Sequence, residues 1–155
     1  MTRSLRTEIR QRRPFRSLEQ EAYLSVVRTA ALLTDRFEQM LRPAGITLAQ
    51  YNVLRILRGA EPNGLCRNDL RDRMLTRMPD VTRLLDRMEA AGLVSRERSE
   101  EDRRLVTTRI TARGGRLLER LEAPVAEEHR RRFHGLDEQH LATLIDLLGR
   151  VREST

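Results

Sequence analysis

Apolar residues recur three and four apart along most of the chain, and the period changes within one stretch. From Pro79 to Ala91, Val81, Leu84, Leu85 and Met88 fall on one helical face, while Asp80, Arg83 and Arg87 fall on another. Gly92 suits a helix C′ position. After it the period shifts toward two: Val94-Ser95-Arg96, a charged turn, then Val106, Thr108 and Ile110 on one side of a strand. This predicts a helix followed by a β-hairpin. Upstream, Ser17 and Gln20 form a capping box for a long helix whose stripe is Tyr23, Val26, Val27, Ala30, Leu33, Phe37 and Met40. Pro43-Ala44-Gly45 ends that helix. Thr47 caps the next, Gln50 reaches back, Ile46 staples against Tyr51, and Leu54 and Leu57 continue the face to Gly59. Pro62-Asn63-Gly64 is a turn, and Leu70, Met74 and Leu75 predict a short helix ending before Pro79. Residues 65–91 thus read as helix, turn, helix.

Beyond the hairpin, Leu117, Leu118, Leu121, Val125 and Phe133 predict a helix over about 111–132, with Pro124 expected to kink it or end one segment. Asp137 caps a last helix, Leu136 staples to Leu141, and Leu144, Ile145, Leu148 and Val151 extend its apolar face. The predicted fold is mainly α with a small β-hairpin wing, a winged helix-turn-helix. The outer helices carry more apolar surface than one small domain can bury, which calls for a second copy as lid. Residues 17–155 read as one domain, with 17–46 and 112–155 as dimerisation helices and 47–111 as the helix-turn-helix lobe. The expected dimer contacts are Tyr23, Phe133, Leu141, Leu144, Leu148 and Val151.

The net charge of +7 points to a polyanionic partner, either nucleic acid or an anionic membrane. All thirty basic residues are Arg. Arg pairs with phosphate in a planar, bidentate way. A GC-rich genome also yields Arg for Lys, which explains the choice of Arg but not the positive balance. Residues 1–16 hold Arg3, Arg6, Arg10, Arg12, Arg13 and Arg16 against Glu8 alone, with no apolar stretch of the kind a signal peptide requires. They read as a flexible basic arm able to touch DNA backbone, or as a transit peptide. No apolar run approaches the ~20 residues that cross a bilayer. The lone Cys66 excludes an internal disulfide framework and fits a cytoplasmic location.

Reaction chemistry finds little support. There is no Gly-rich phosphate loop, nucleophile elbow or Cys-His pair at a recognised spacing, so neither an enzyme nor a cofactor is expected. His129, His134 and His140 stand five and six apart, which does not align all three on one turn, and no metal is expected. His129, four from both Val125 and Phe133, reads as a packed interface histidine or an effector-pocket wall. Cys66 near a helix start is open to activation by the dipole, or is a plain small side chain. Tyr23, Tyr51, Arg28 and Arg58 offer the aromatic wall and guanidinium that a phenolate or carboxylate ligand wants, with core packing as the alternative.

From about Ser17 to Glu153 the chain resembles the MarR family of winged helix-turn-helix transcriptional regulators. The match is carried by the run from Gly45 to Leu54 (GITLAQYNVL), the run from Val81 to Glu89 (VTRLLDRME), Gly92-Leu93-Val94, and Asp102-Arg103-Arg104 with Ile110-Thr111. The resemblance implies a homodimer on pseudo-palindromic double-stranded operator DNA, a repressor often released by a small phenolic or aromatic ligand or by oxidation. It assigns Thr82 and Arg83 to phosphate or base contacts, with Arg87 further along the helix. In the wing it gives Asp102 a bracing role and sends Arg104, or the adjoining Arg103, into the minor groove. Asp80 departs from the hydroxyl residue often found there; an acid suits the helix N-terminus, or accepts from cytosine N4. The family's peroxide sensors carry their cysteine in the first helix, where this chain has none. Arg96 and Arg98 are interleaved with acids, and read either as DNA contacts or as a solvated turn. The alternative reading of the whole is a winged-helix module that binds protein and no specific DNA.

Overall fold

The structure, a computed structural model, describes residues 4–98 and 105–154. They fall into two compact units, Met1–Gln39 and Met40–Thr155. In the first, α1 (Leu5–Glu8) is a single turn capped by Ser4, inside the basic segment. The Arg6 guanidinium donates to the carbonyls of Gln11 and Arg12, at 3.3 and 3.0 Å. The Glu8 carboxylate pairs at 2.8 Å with Arg28 of the long helix α2 (Leu18–Leu41). Ser17 Oγ accepts the Gln20 N–H at 3.2 Å, but Gln20 Oε1 reaches the Arg16 N–H at 2.7 Å, one residue before the reciprocal capping box.

The second unit holds the lobe. A 3-10 turn at Arg42–Ala44 closes on Gly45, whose φ of 71° needs no Cβ. α3 (Leu48–Arg58) opens on the predicted reciprocal box: Thr47 Oγ1 accepts the Gln50 N–H at 3.2 Å and Gln50 Oε1 accepts the Thr47 N–H at 2.9 Å. Its Val53, Leu54 and Leu57 are buried with Leu70, Leu84, Met88 and Val94. These residues form one core under the helix-turn-helix.

Two predicted helix ends differ. The helix expected to include Met74 and Leu75 is only six residues, α4 (Arg67–Asp72), because Leu70 is the single side chain it buries; Leu75 stands 74% exposed. Pro124 does not end its helix: α6 runs unbroken over Ala112–Phe133, with Leu121 and Val125 buried on either side of it. That packing offsets the hydrogen bond the proline cannot make.

α5 (Val81–Ala90) ends in a Schellman pair: the Leu93 N–H reaches the Met88 carbonyl at 2.9 Å and the Gly92 N–H reaches the Glu89 carbonyl at 2.8 Å, with Gly92 at φ 69°. β2 (Val94–Arg98) and β3 (Val106–Ile110) pair antiparallel from Val94↔Ile110 to Arg98↔Val106. A strand absent from the sequence reading, β1 (Leu65–Cys66), adds to the other side of β3 through Leu65↔Thr108, giving the order β1-β3-β2. Thr111 joins sheet to helix: Oγ1 accepts the Gly114 N–H at 3.1 Å to cap α6 and donates to the Gly92 carbonyl at 2.7 Å. α7 (Glu138–Glu153) starts on Asp137, whose Oδ1 accepts the His140 N–H at 2.8 Å, and buries no residue.

Candidate nucleic-acid interface

α5 is two-sided because its sequence is. Val81, Leu84, Leu85 and Met88 are each at most 5% exposed, which anchors the helix against the core. Thr82, Arg83, Asp86 and Arg87 stand in solvent on the remaining arc. Asp80 begins the helix: Oδ1 accepts the Arg83 N–H at 2.9 Å, and Oδ2 lies 3.5 Å from Arg83 Nε. Among the described residues Arg87 has no ion-pair partner. From the adjoining α4, Arg67 Nη1 donates to Thr82 Oγ1 at 3.4 Å, so its cationic head stands beside the start of α5.

Arg67 was missed in the sequence reading. Its signal was available, since the first helix of a helix-turn-helix meets the DNA backbone. Behind it a cleft of about 330 Å³ is lined by Cys66, Arg67, Thr82, Arg96 and Val106 among others. Cys66 is half-buried there and caps α4, its sulfur accepting the Asp69 N–H at 3.5 Å.

Arg96 has a structural post. Its Nε and Nη2 donate to Glu89 Oε2 at 2.9 and 2.5 Å, its backbone N–H donates to Glu89 Oε1 at 3.2 Å, and Nη2 pairs with Asp86 at 2.6 Å. The hydrogen bonds to Glu89, followed by those to Asp86, push its pKa up despite partial burial. The strand β2 is thereby tied to α5 through Asp86 and Glu89. Arg109 is engaged too, with Glu97 at 2.8 Å and the Pro62 carbonyl at 3.2 Å. Arg98 is exposed at the end of β2. Asp102, Arg103 and Arg104, which the resemblance assigns to the wing tip, lie outside the described residues.

The expected dimer contacts divide by exposure. Tyr23 is 68% and Val151 59% exposed, whereas Phe133, Leu141, Leu144 and Leu148 are half-buried. His129 is exposed in the single chain. Of the effector candidates, Arg28 is taken by Glu8, and Arg58 by Glu61 at 3.6 Å and Glu119 at 3.4 Å. Tyr51 is half-buried, and desolvation pushes its phenol pKa up.

Residues 44–105 match the sequence profile of the MarR family. The fold matches the crystal structure of a MarR transcription factor from Planctomyces limnophilus, with 39% identity and a TM-score of 0.68, over 88% of this chain and 98% of that one. The chain belongs to the MarR family. Another family relative, the HTH-type transcriptional regulator FarR of Neisseria gonorrhoeae, is 29% identical over 138 residues, which cover 89% of this chain and 93% of FarR. MepR of S. aureus, in its crystallised DNA complex, shares the MarR fold at a TM-score of 0.77 and 24% identity, over 86% of this chain and 97% of MepR. No described helix is long and apolar enough to cross a membrane.

Proposed function

We propose that this MarR-family chain is a sequence-specific double-stranded DNA-binding regulator that works as a homodimeric repressor on pseudo-palindromic operators. The observation that carries the reading is the division of α5. One stripe is locked into the core, and the other presents Thr82, Arg83 and Arg87 to solvent with Arg67 alongside. A helix of this kind fits a major groove about 12 Å wide. The wing, with Arg103 and Arg104, serves the neighbouring minor groove, where enhanced negative potential favours Arg. Asp102 braces it. The family supports release by a small aromatic or phenolic effector, which need only favour the dimer shape with the wrong helix spacing; a coupling of about 1–3 kcal/mol changes occupancy roughly 5–150-fold.

Titration against a random duplex and the upstream region of the chain's own operon, at two salt concentrations, tests this reading. The operon duplex is expected to be preferred, with a log-log salt slope of about −0.9 per neutralised phosphate. A panel of aromatic acids added to that complex is expected to contain one that releases it. Equal, weak binding to both duplexes would instead favour a protein-interaction module.

A further inference from the structure

At the start of α5 the Asp80 carboxylate meets Arg83 twice. One carboxylate holds a single residue at two points, its backbone N–H at 2.9 Å and its Nε at 3.5 Å. The Arg83 side chain is nonetheless 83% exposed, and among the described residues Nη1 and Nη2 make no hydrogen bond. The ion pair draws Nε toward the carboxylate and leaves the outer edge of the guanidinium open to solvent. Such an edge carries two parallel N–H donors.

Resting on the reading of α5 as the DNA-reading helix, we propose that Asp80 is a specificity-determining residue that orients Arg83 to read guanine. Guanine shows two acceptors, O6 and N7, in the major groove, and a bidentate Arg satisfies both; adenine offers N7 but sets an N6 donor against the second N–H. Holding the side chain before DNA arrives removes part of the rotamer entropy lost on binding. Both Asp80 oxygens contact Arg83, which gives Asp80 a supporting place beside the reader. Arg87, with no carboxylate holding it among the described residues, is left for phosphate.

The experiment begins with selection of a preferred duplex from a randomised pool by the full chain. Affinities of the wild type, Asp80→Ser, Asp80→Asn and Arg83→Gln are then measured on that duplex, and on versions in which each half-site guanine is replaced by adenine or 7-deazaguanine, which lacks the N7 acceptor. For the wild type, one guanine per half-site is expected to matter by about 5- to 150-fold. Ser and Asn both retain an N-cap acceptor, so both variants keep the start of α5, checked by circular dichroism. They are expected to lose most of the guanine preference, read as the ratio of affinities for the guanine and adenine duplexes, whatever the loss of one negative charge does to binding of both. Arg83→Gln is expected to abolish the preference. A guanine preference that survives in both Asp80 variants would overturn the role given to Asp80. A preferred duplex in which no guanine matters would overturn it equally, while leaving α5 as the DNA-reading helix. Equal binding of the wild type to all duplexes would remove the reading of α5 itself.

Discussion

Arg83 and Arg96 differ in what surrounds them. Arg83 meets one carboxylate through one nitrogen and remains 83% exposed, so its charge is available to a ligand. Arg96 is 24% exposed and meets two carboxylates, with Glu89 also accepting its backbone N–H. A charge held in this way helps to fix β2 on α5. Partial exposure keeps the value modest, at about 1 kcal/mol for the network. Arg96→Gln is therefore expected to lower stability by about 1 kcal/mol. Glu89→Gln should cost more than Asp86→Asn, because Glu89 also holds the strand's backbone. Urea denaturation of the single and paired variants checks the ordering. Additive losses for Arg96→Gln and Glu89→Gln would show that the two residues do not act together.

At the scale of elements, the neighbouring glycines at the start of α6 have opposite consequences. A Cβ on Gly114 would collide with the Leu93 carbonyl oxygen and come within 2.9 Å of Ile110 Cγ1, since the helix start is pressed against the end of the hairpin. A Cβ on Gly115 would meet only Arg58 Nη1, at 3.9 Å. Gly114→Ala is expected to destabilise by about 1–3 kcal/mol through overpacking. Gly115→Ala is expected to stabilise by about 0.5–1 kcal/mol through helix propensity. Midpoints of thermal unfolding check both signs. Such close approaches were not legible in the sequence, where the pair reads only as two weak helix formers. The caps were legible, because Thr47, Asp137 and Gly92 act within a few residues of themselves. The two-residue strand β1 was not: it has no period of its own, and its place depends on Thr107 and Thr108, about forty residues away. α4 was overextended because Leu75 fits a helical spacing yet has no core to meet. For the site, periodicity separated Arg83 and Arg87 from the buried stripe. It could not separate an open Arg83 from an Arg96 clamped by acids on another element.

For the whole molecule, each unit leaves apolar surface uncovered. On α2, Tyr23, Val26 and Val27 are 68%, 46% and 49% exposed, and on α7, Ile145, Leu147 and Val151 are 67%, 52% and 59% exposed. Scattered apolar residues are ordinary on a surface. A sixteen-residue helix with no buried residue gains little from its own chain, and its stability has to come from something packed on it. The proposed dimer supplies that partner. Its consequence for DNA would be geometric, since two reading helices linked through one interface would occupy half-sites about 34 Å apart and bind jointly. Ile145 offers a clean test, because a side chain this exposed in the single chain contributes little to the folding of its own subunit. Ile145→Asp would place an unpaired charge in the subunit interface, which is costly. The expected outcome is a halved mass in sedimentation at low concentration, with the far-ultraviolet helix signal retained. Affinity for a two-half-site operator should fall while affinity for an isolated half-site stays near that of the wild type, because joint binding is lost and each reading helix is intact. An unchanged mass would remove Ile145 from the interface. A halved mass with undiminished operator affinity would separate assembly from DNA recognition.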